Sequence, residues 1–146
     1  MSLKHVLDEW DKDSQIDRSD LGVALLNVNR LHHKYLKTHS FFRQQLSKEK
    51  TTKDELYNLL EMYYNGTIDQ ANLKALNRNP YGGIIKSQKN VENHINRDPE
   101  MIGMVEQIGE TELILQTLES ILKAINNSGF HIQGAIEWYK LTKFSG

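Results

Sequence analysis

The stretch from Ser19 to Gly66 constrains this 146-residue chain more than any other. Counted from Leu21 in alternating steps of four and three, it places Leu21, Leu25, Val28, His32, Tyr35, His39, Phe42 and Leu46 in one row. That spacing predicts a long helix with a heptad seam, which must be buried against another helix. Offset by one residue, and so by about 100° around the helix, runs a second row of Arg30, Lys34, Lys37, Phe41 and Lys48. Such a row suits a polyanion. The seam loses its apolar character over Ser47 to Lys53, resumes at Leu56, Leu60 and Tyr63, and ends on Tyr63-Tyr64-Asn65-Gly66, where glycine fits a left-handed helix cap. Two readings of Ser47 to Lys53 stand. Thr52-Lys53-Asp54-Glu55 has the spacing of a capping box that would start a new helix, yet no glycine or proline interrupts the run.

The remaining segments complete an all-α reading: one helical domain of long helices in an antiparallel hairpin or bundle, with shorter helices crossing. Residues 1–16 form a short helix docking through Leu3, Val6, Leu7 and Trp10, and 19–66 form the long helix, capped by Asp17 with Asp20 in its first turn. Residues 67–97 hold two short helices around the Asn79-Pro80-Tyr81-Gly82-Gly83 loop, the first opened by a Thr67-Ile68-Asp69-Gln70 box. Asp98-Pro99-Glu100 starts a second long helix over 98–127, with Asp as cap and Pro at the first helical position. Its seam is Met104, Ile108, Thr111, Leu115, Leu118, Leu122 and Ile125, widened by Leu113, Ile114 and Ile121. Asn126-Asn127-Ser128-Gly129 is expected to end it, leaving a final amphipathic helix over 129–146 through Ile132, Ile136, Trp138 and Leu141 to Phe144.

Composition narrows the function. No apolar run is long enough for a membrane span or a signal peptide, so the expected place is the cytoplasm of a cell. The absence of cysteine excludes disulfides, thiol catalysis and thiolate-bound metal. The net charge of −1 hides segregation: Leu21 to Lys53 carries seven Lys/Arg against Glu49 alone, and Lys74 to Arg97 carries five against Glu92 alone. Either block read singly is a solvated face; together they favour an anionic partner. His32, His33 and His39 lack the spacing that brings two imidazoles to one metal, and His32 and His39 fall on the seam as core or interface residues. Gly82-Gly83-Ile84-Ile85-Lys86-Ser87 lacks the glycine a phosphate loop needs before its lysine. With no paired carboxylates in a cleft and no nucleophile motif, an enzyme is not expected and no cofactor is implied. Basic residues interleaved with aromatics, in the Tyr35 and Phe41 region and again around Tyr81, are instead the parts of a single-strand binder. Tyr35 and Phe42 also read as core, and Tyr63-Tyr64 as either a packed helix end or a surface platform.

Several stretches, in order and spacing, resemble one family. They are Trp10-Asp11-Lys12-Asp13-Ser14-Gln15-Ile16-Asp17, Leu31-His32-His33-Lys34-Tyr35-Leu36, Tyr63-Tyr64-Asn65-Gly66, Leu118-Glu119-Ser120-Ile121-Leu122-Lys123, the Asn126 to Ile132 segment, and Ala135-Ile136-Glu137-Trp138 followed by Lys140. Together they span the chain and resemble the UvsY family of phage recombination mediators. The resemblance implies a non-enzymatic accessory protein in the host cytoplasm that binds single-stranded DNA as a heptameric or hexameric ring. Such a protein helps a RecA-like phage recombinase displace the phage single-strand-binding protein. It implies no cofactor, since nucleotide belongs to the recombinase. One departure matters: family members carry Lys and Arg just before the Tyr-Tyr-x-Gly helix end, where this chain has Asp54-Glu55-Leu56-Tyr57-Asn58-Leu59-Leu60-Glu61-Met62. Charge therefore places the DNA surface on Lys34 and Lys37 of the stripe, on Lys48, Lys50 and Lys53, and on Lys74, Arg78, Tyr81, Lys86 and Lys89. The oligomer contacts are expected from the wide second seam and the last helix, at Leu115, Leu118, Leu122, Ile125, Ile136 and Trp138. A helical adaptor that oligomerises without touching DNA is the alternative.

Overall fold

The computed structural model describes residues 1–15, 19–83 and 85–145, residues 144 and 145 by their backbone only. Five helices account for the described chain: α1 (Leu3–Asp13), α2 (Leu21–Asn65), α3 (Gln70–Leu76), α4 (Gln88–Arg97) and α5 (Pro99–Ser145). The chain packs as two compact units, residues 1–44 with 111–146, and residues 45–110.

α2 runs unbroken through Ser47 to Lys53, so the capping-box alternative fails there. The physical reason is phase. Val28, Tyr35, Phe42 and Glu49 are all buried at seven-residue intervals, so the inward face crosses the polar stretch without a shift. The start of α2 is capped by Asp20, whose Oδ1 accepts the Val23 N–H at 3.2 Å; Asp17, the expected cap, lies outside the described residues. Its end is as the glycine predicts: Gly66 sits at φ 81, and the N–H groups of Thr67 and Ile68 both close on the Met62 carbonyl.

In the first unit, α2 and α5 lie antiparallel, since Val28 meets Gly129 and His39 meets Glu119 (3.3 Å). The buried row of α2 is Ala24, Val28, Leu31, Tyr35 and Phe42, while Leu21, Leu25, His32 and His39 of the seam are half-buried at its margin. The shift reflects a second neighbour: α1 buries Val6 and sets the Trp10 ring edge-on against Tyr35 at 5.5 Å. Ser2 caps α1.

α5 corrects the expected break at 126–129. It is one helix from Pro99 to Ser145. Asn, Ser and Gly have low helix propensity, but Thr111, Leu118, Ile125 and Ile132 are buried seven apart and hold the helix in phase through them. Gly129 is also where a neighbour comes close: a Cβ there would meet Val28 Cγ1 at 3.4 Å. The same burial bears on three of the expected oligomer contacts. Leu115, Leu118 and Ile125 are enclosed within the chain itself, Leu122 and Ile136 are half-buried, and of the expected set only Trp138 is largely exposed. Leu113, read as widening the seam, instead points outward, whereas Ile114 and Ile121 are buried. Phe144 lies outside the described side chains.

The second unit closes around Leu60, Tyr64, Leu76, Val91, Ile95 and Met101, flanked by Leu56, Tyr57, Leu59, Tyr63, Ile68 and Ile85. α3 is capped by Asp69, which accepts the Asn72 N–H at 2.8 Å, so the helix opens two residues after the expected Thr67. Thr67 instead turns its hydroxyl onto Asn65. α5 begins as Asp98-Pro99 predicts, with Asp98 Oδ1 accepting the Glu100 N–H at 3.0 Å.

Candidate nucleic-acid interface

The second unit is organised around one fully buried carboxylate. Asp98 accepts a bidentate pair from Arg78, at 2.5 and 2.7 Å, and the Tyr64 hydroxyl at 2.7 Å. Burial alone would raise its carboxyl pKa; the Arg78 guanidinium, the Tyr64 hydroxyl and the Glu100 N–H outweigh it and hold Asp98 below the usual carboxylate range. By the same contacts Arg78 is held charged, and burial together with Asp98 pushes the Tyr64 hydroxyl up to about 12. Arg78 also reaches Glu100 at 3.1 Å and lies over the Tyr63 ring at 5.3 Å. It therefore fastens the segment after α3 to the start of α5, and its charge is already neutralised. That removes Arg78 from the expected DNA contacts.

Lys34, in the first unit, is removed for the same reason. Its ammonium donates to Asp13 at 2.7 Å and lies 3.3 Å from Glu9, and the hydrogen bond to Asp13 is the main cause of its raised pKa. Burial opposes Asp13's ionisation, but Lys34 and Tyr35 more than compensate and lower its pKa. Of the basic row on α2, Arg30 bonds Asn27 and Lys37 is exposed.

Six of the expected lysines belong to the second unit and are not engaged in any ion pair among the described residues. Lys48 and Lys50 are exposed on α2, while Lys53 is half-buried at a cavity of about 250 Å³ with Tyr57, Asn96, Met101 and Val105. Lys74 is exposed near the end of α3, Lys86 precedes α4, and Lys89 stands in the first turn of α4. A cation at a helix N-terminus opposes the helix dipole, so Lys89 is not there to stabilise α4. Arg97, not among the expected contacts, is exposed on the last turn of the same helix.

Tyr81 is the aromatic of this region. Its ring is braced by Tyr64 (5.2 Å between centroids) and Tyr63 (5.6 Å), and Tyr63 in turn donates to the Asn79 carbonyl at 3.2 Å. Of the two readings of Tyr63-Tyr64, the packed helix end holds: Tyr64 is buried and Tyr63 half-buried. Tyr35 and Phe42 are core, and Phe41 is exposed. The residue missed was His94, 6.4 Å from the Tyr81 ring and 5.4 Å from Tyr64. It stands thirteen positions on from Tyr81, and no periodicity links the two. Among the described residues no group of histidines and carboxylates is arranged to hold a metal ion, and no helix is long and apolar enough to cross a membrane.

A sequence model of the family described as "Recombination, repair and ssDNA binding protein UvsY" matches residues 9–144. The chain belongs to the UvsY family. Its fold is also that of crystal structures of the bacteriophage T4 recombination mediator protein UvsY. In lattice type II the match covers 98% of each chain at 18% identity with a TM-score of 0.79. In lattice type I it covers 94% of this chain and 98% of the other at 18% identity and 0.76, and in lattice type IV 97% and 99% at 20% identity and 0.73. At such identity the likeness speaks for the fold. No curated protein matches this UvsY-family chain significantly by sequence.

Proposed function

We propose that this protein is a non-enzymatic recombination mediator. It binds single-stranded DNA as a ring-like homo-oligomer and helps load a RecA-like phage recombinase onto strands covered by the phage single-strand-binding protein, in the host cytoplasm. The observation that carries this reading is the match to the UvsY family over residues 9–144. The chemistry of the second unit supports it: Lys48, Lys50, Lys53, Lys74, Lys86 and Lys89 remain available for phosphate, whereas Lys34 and Arg78 are held by carboxylates. Each subunit offers only a modest patch, which an oligomer multiplies into an avid surface. No cofactor is needed for such a role.

The direct test is the recombinase's single-strand-dependent ATP hydrolysis on DNA precoated with the single-strand-binding protein. Adding this protein should shorten the lag before steady hydrolysis, with no hydrolysis by the protein alone. An unchanged lag would exclude the mediator role. The exposed Asp54 and Glu55 favour the second reading, an oligomeric helical adaptor without DNA contact. Failure to bind an oligo-dT at low salt, with the oligomer intact, would support that reading.

A further inference from the structure

Tyr81 occupies the loop between α3 and α4, and the residue is 37% exposed. Three rings brace it: Tyr64 and His94 edge-on, at 74° and 70° between planes, and Tyr63 tilted at 54°. Its hydroxyl makes no hydrogen bond among the described residues, so the ring, and not the phenol oxygen, is what the fold holds in place. A side chain braced in this way loses little conformational freedom when something stacks on it.

His94 adds direction. Its Nδ1 lies 2.8 Å from the Asn90 carbonyl, which can only accept, so Nδ1 carries the proton and Nε2 of the neutral ring is an acceptor. The side chain is exposed. Lys86 and Lys89 flank the start of α4 in the same segment of chain. An immobilised aromatic ring, a hydrogen-bond acceptor beside it and two cations close by in sequence are the parts needed to hold one nucleotide of an unpaired strand.

We infer that Tyr81 and His94 form a nucleobase subsite, in which an unpaired base stacks on the Tyr81 ring while His94 Nε2 accepts a hydrogen from the base edge. Every base carries a stacking face and an N–H on its edge, so the subsite takes any base but not a bare backbone. Bases inside a duplex are stacked on one another and are not available to it. The inference rests on the single-strand-binding reading and extends it from phosphate to base.

The experiment is a titration of two labelled fifteen-mers, oligo-dT and a wholly abasic strand of the same length, against native protein and the variants Tyr81→Phe, Tyr81→Ala and His94→Ala. Native protein should bind the base-bearing strand roughly tenfold more tightly than the abasic one. Tyr81→Phe should keep that ratio, Tyr81→Ala should bring it close to one, and His94→Ala should lower it about threefold. Affinity for the abasic strand should stay within twofold throughout, which also shows that each variant is folded. A Tyr81→Ala protein that keeps the full ratio would assign base contact elsewhere, for instance to Phe41, and would overturn the subsite. So would a native protein that binds both strands equally, with the phosphate reading left intact. Native protein that binds neither strand would overturn the subsite and the single-strand-binding reading together.

Discussion

Two clusters in this molecule share the same three parts and differ in depth. In the first unit the Tyr35 hydroxyl and the Lys34 ammonium both donate to Asp13; in the second the Tyr64 hydroxyl and the Arg78 guanidinium both donate to Asp98. Asp13 keeps 21% of its side chain in solvent and Lys34 38%, whereas Asp98 keeps none and Arg78 20%. The shallow cluster fastens α1 to α2; the deep one ties α2, the segment after α3 and the start of α5 together. A cation counted in the sequence is therefore not yet a cation offered to a ligand. Both clusters take one from the expected DNA surface, and the deep one uses an arginine, whose planar fork can satisfy a buried carboxylate that a lysine could only approach as a point charge.

The largest effect is expected at the deep cluster. Asp98→Asn leaves Arg78 without its bidentate partner and should cost about 3–5 kcal/mol in urea unfolding, because one half of a buried pair is left uncompensated. Asp13→Asn should cost only about 1 kcal/mol, since its partners are partly solvated and water screens the pair. Equal losses at the two sites would end the distinction.

Titration sharpens it next. Asp98 and Asp13 both have lowered pKa values, so the stability they contribute is present above the ordinary carboxylate value of 3.8 and is lost as pH falls through their folded values. Stability against thermal unfolding should therefore fall below about pH 4, and Asp98→Asn should remove more of that dependence than Asp13→Asn. On the alkaline side Tyr64 is raised from 10.0 to about 12, so its contribution is complete below 10 and is lost as pH rises between the two values. Tyr64→Phe should flatten that limb. The smallest effect concerns helix continuity. Gly109 and Gly134 sit in α5, one in each unit, with nothing within 4 Å of an added Cβ. Alanine at either should raise stability by about 0.5–1 kcal/mol. A gain at Gly109 and none at Gly134 would mean that the helix ends near 129 after all.

Much of this fold was legible from spacing. The apolar rows of α2 and α5, the Asp98-Pro99 start and the Gly66 cap all follow from local rules, which hold wherever a single helix face or a single turn decides the outcome. The expected break at Asn126 to Gly129 failed because propensity was weighed above phase; the seven-residue series Leu118, Ile125, Ile132 already crossed it. At the candidate site, composition picked out the basic segments but not their partners. Nothing near Arg78 in sequence announces Asp98, twenty residues on, as its carboxylate, and nothing near Lys34 announces Asp13, twenty-one residues before it on another helix. The same limit applies to the expected oligomer contacts Leu115, Leu118 and Ile125, which this chain itself buries: an apolar stripe reads alike whether its cover is the same chain or another. Pairings of this kind belong to packing, which sequence periodicity does not encode.

The uncommitted lysines of the second unit are expected to meet phosphate, and the salt dependence of oligo-dT binding probes that contact. Fluorescence anisotropy between roughly 50 and 200 mM salt should give a steep log–log slope, and Lys74→Ala, Lys86→Ala and Lys89→Ala combined should reduce it by about two units, at about 0.7 per lost contact. Lys37→Ala should reduce it by no more than one contact's share. A slope untouched by the triple substitution and abolished by Lys37→Ala would place the strand on the first unit and contradict the account.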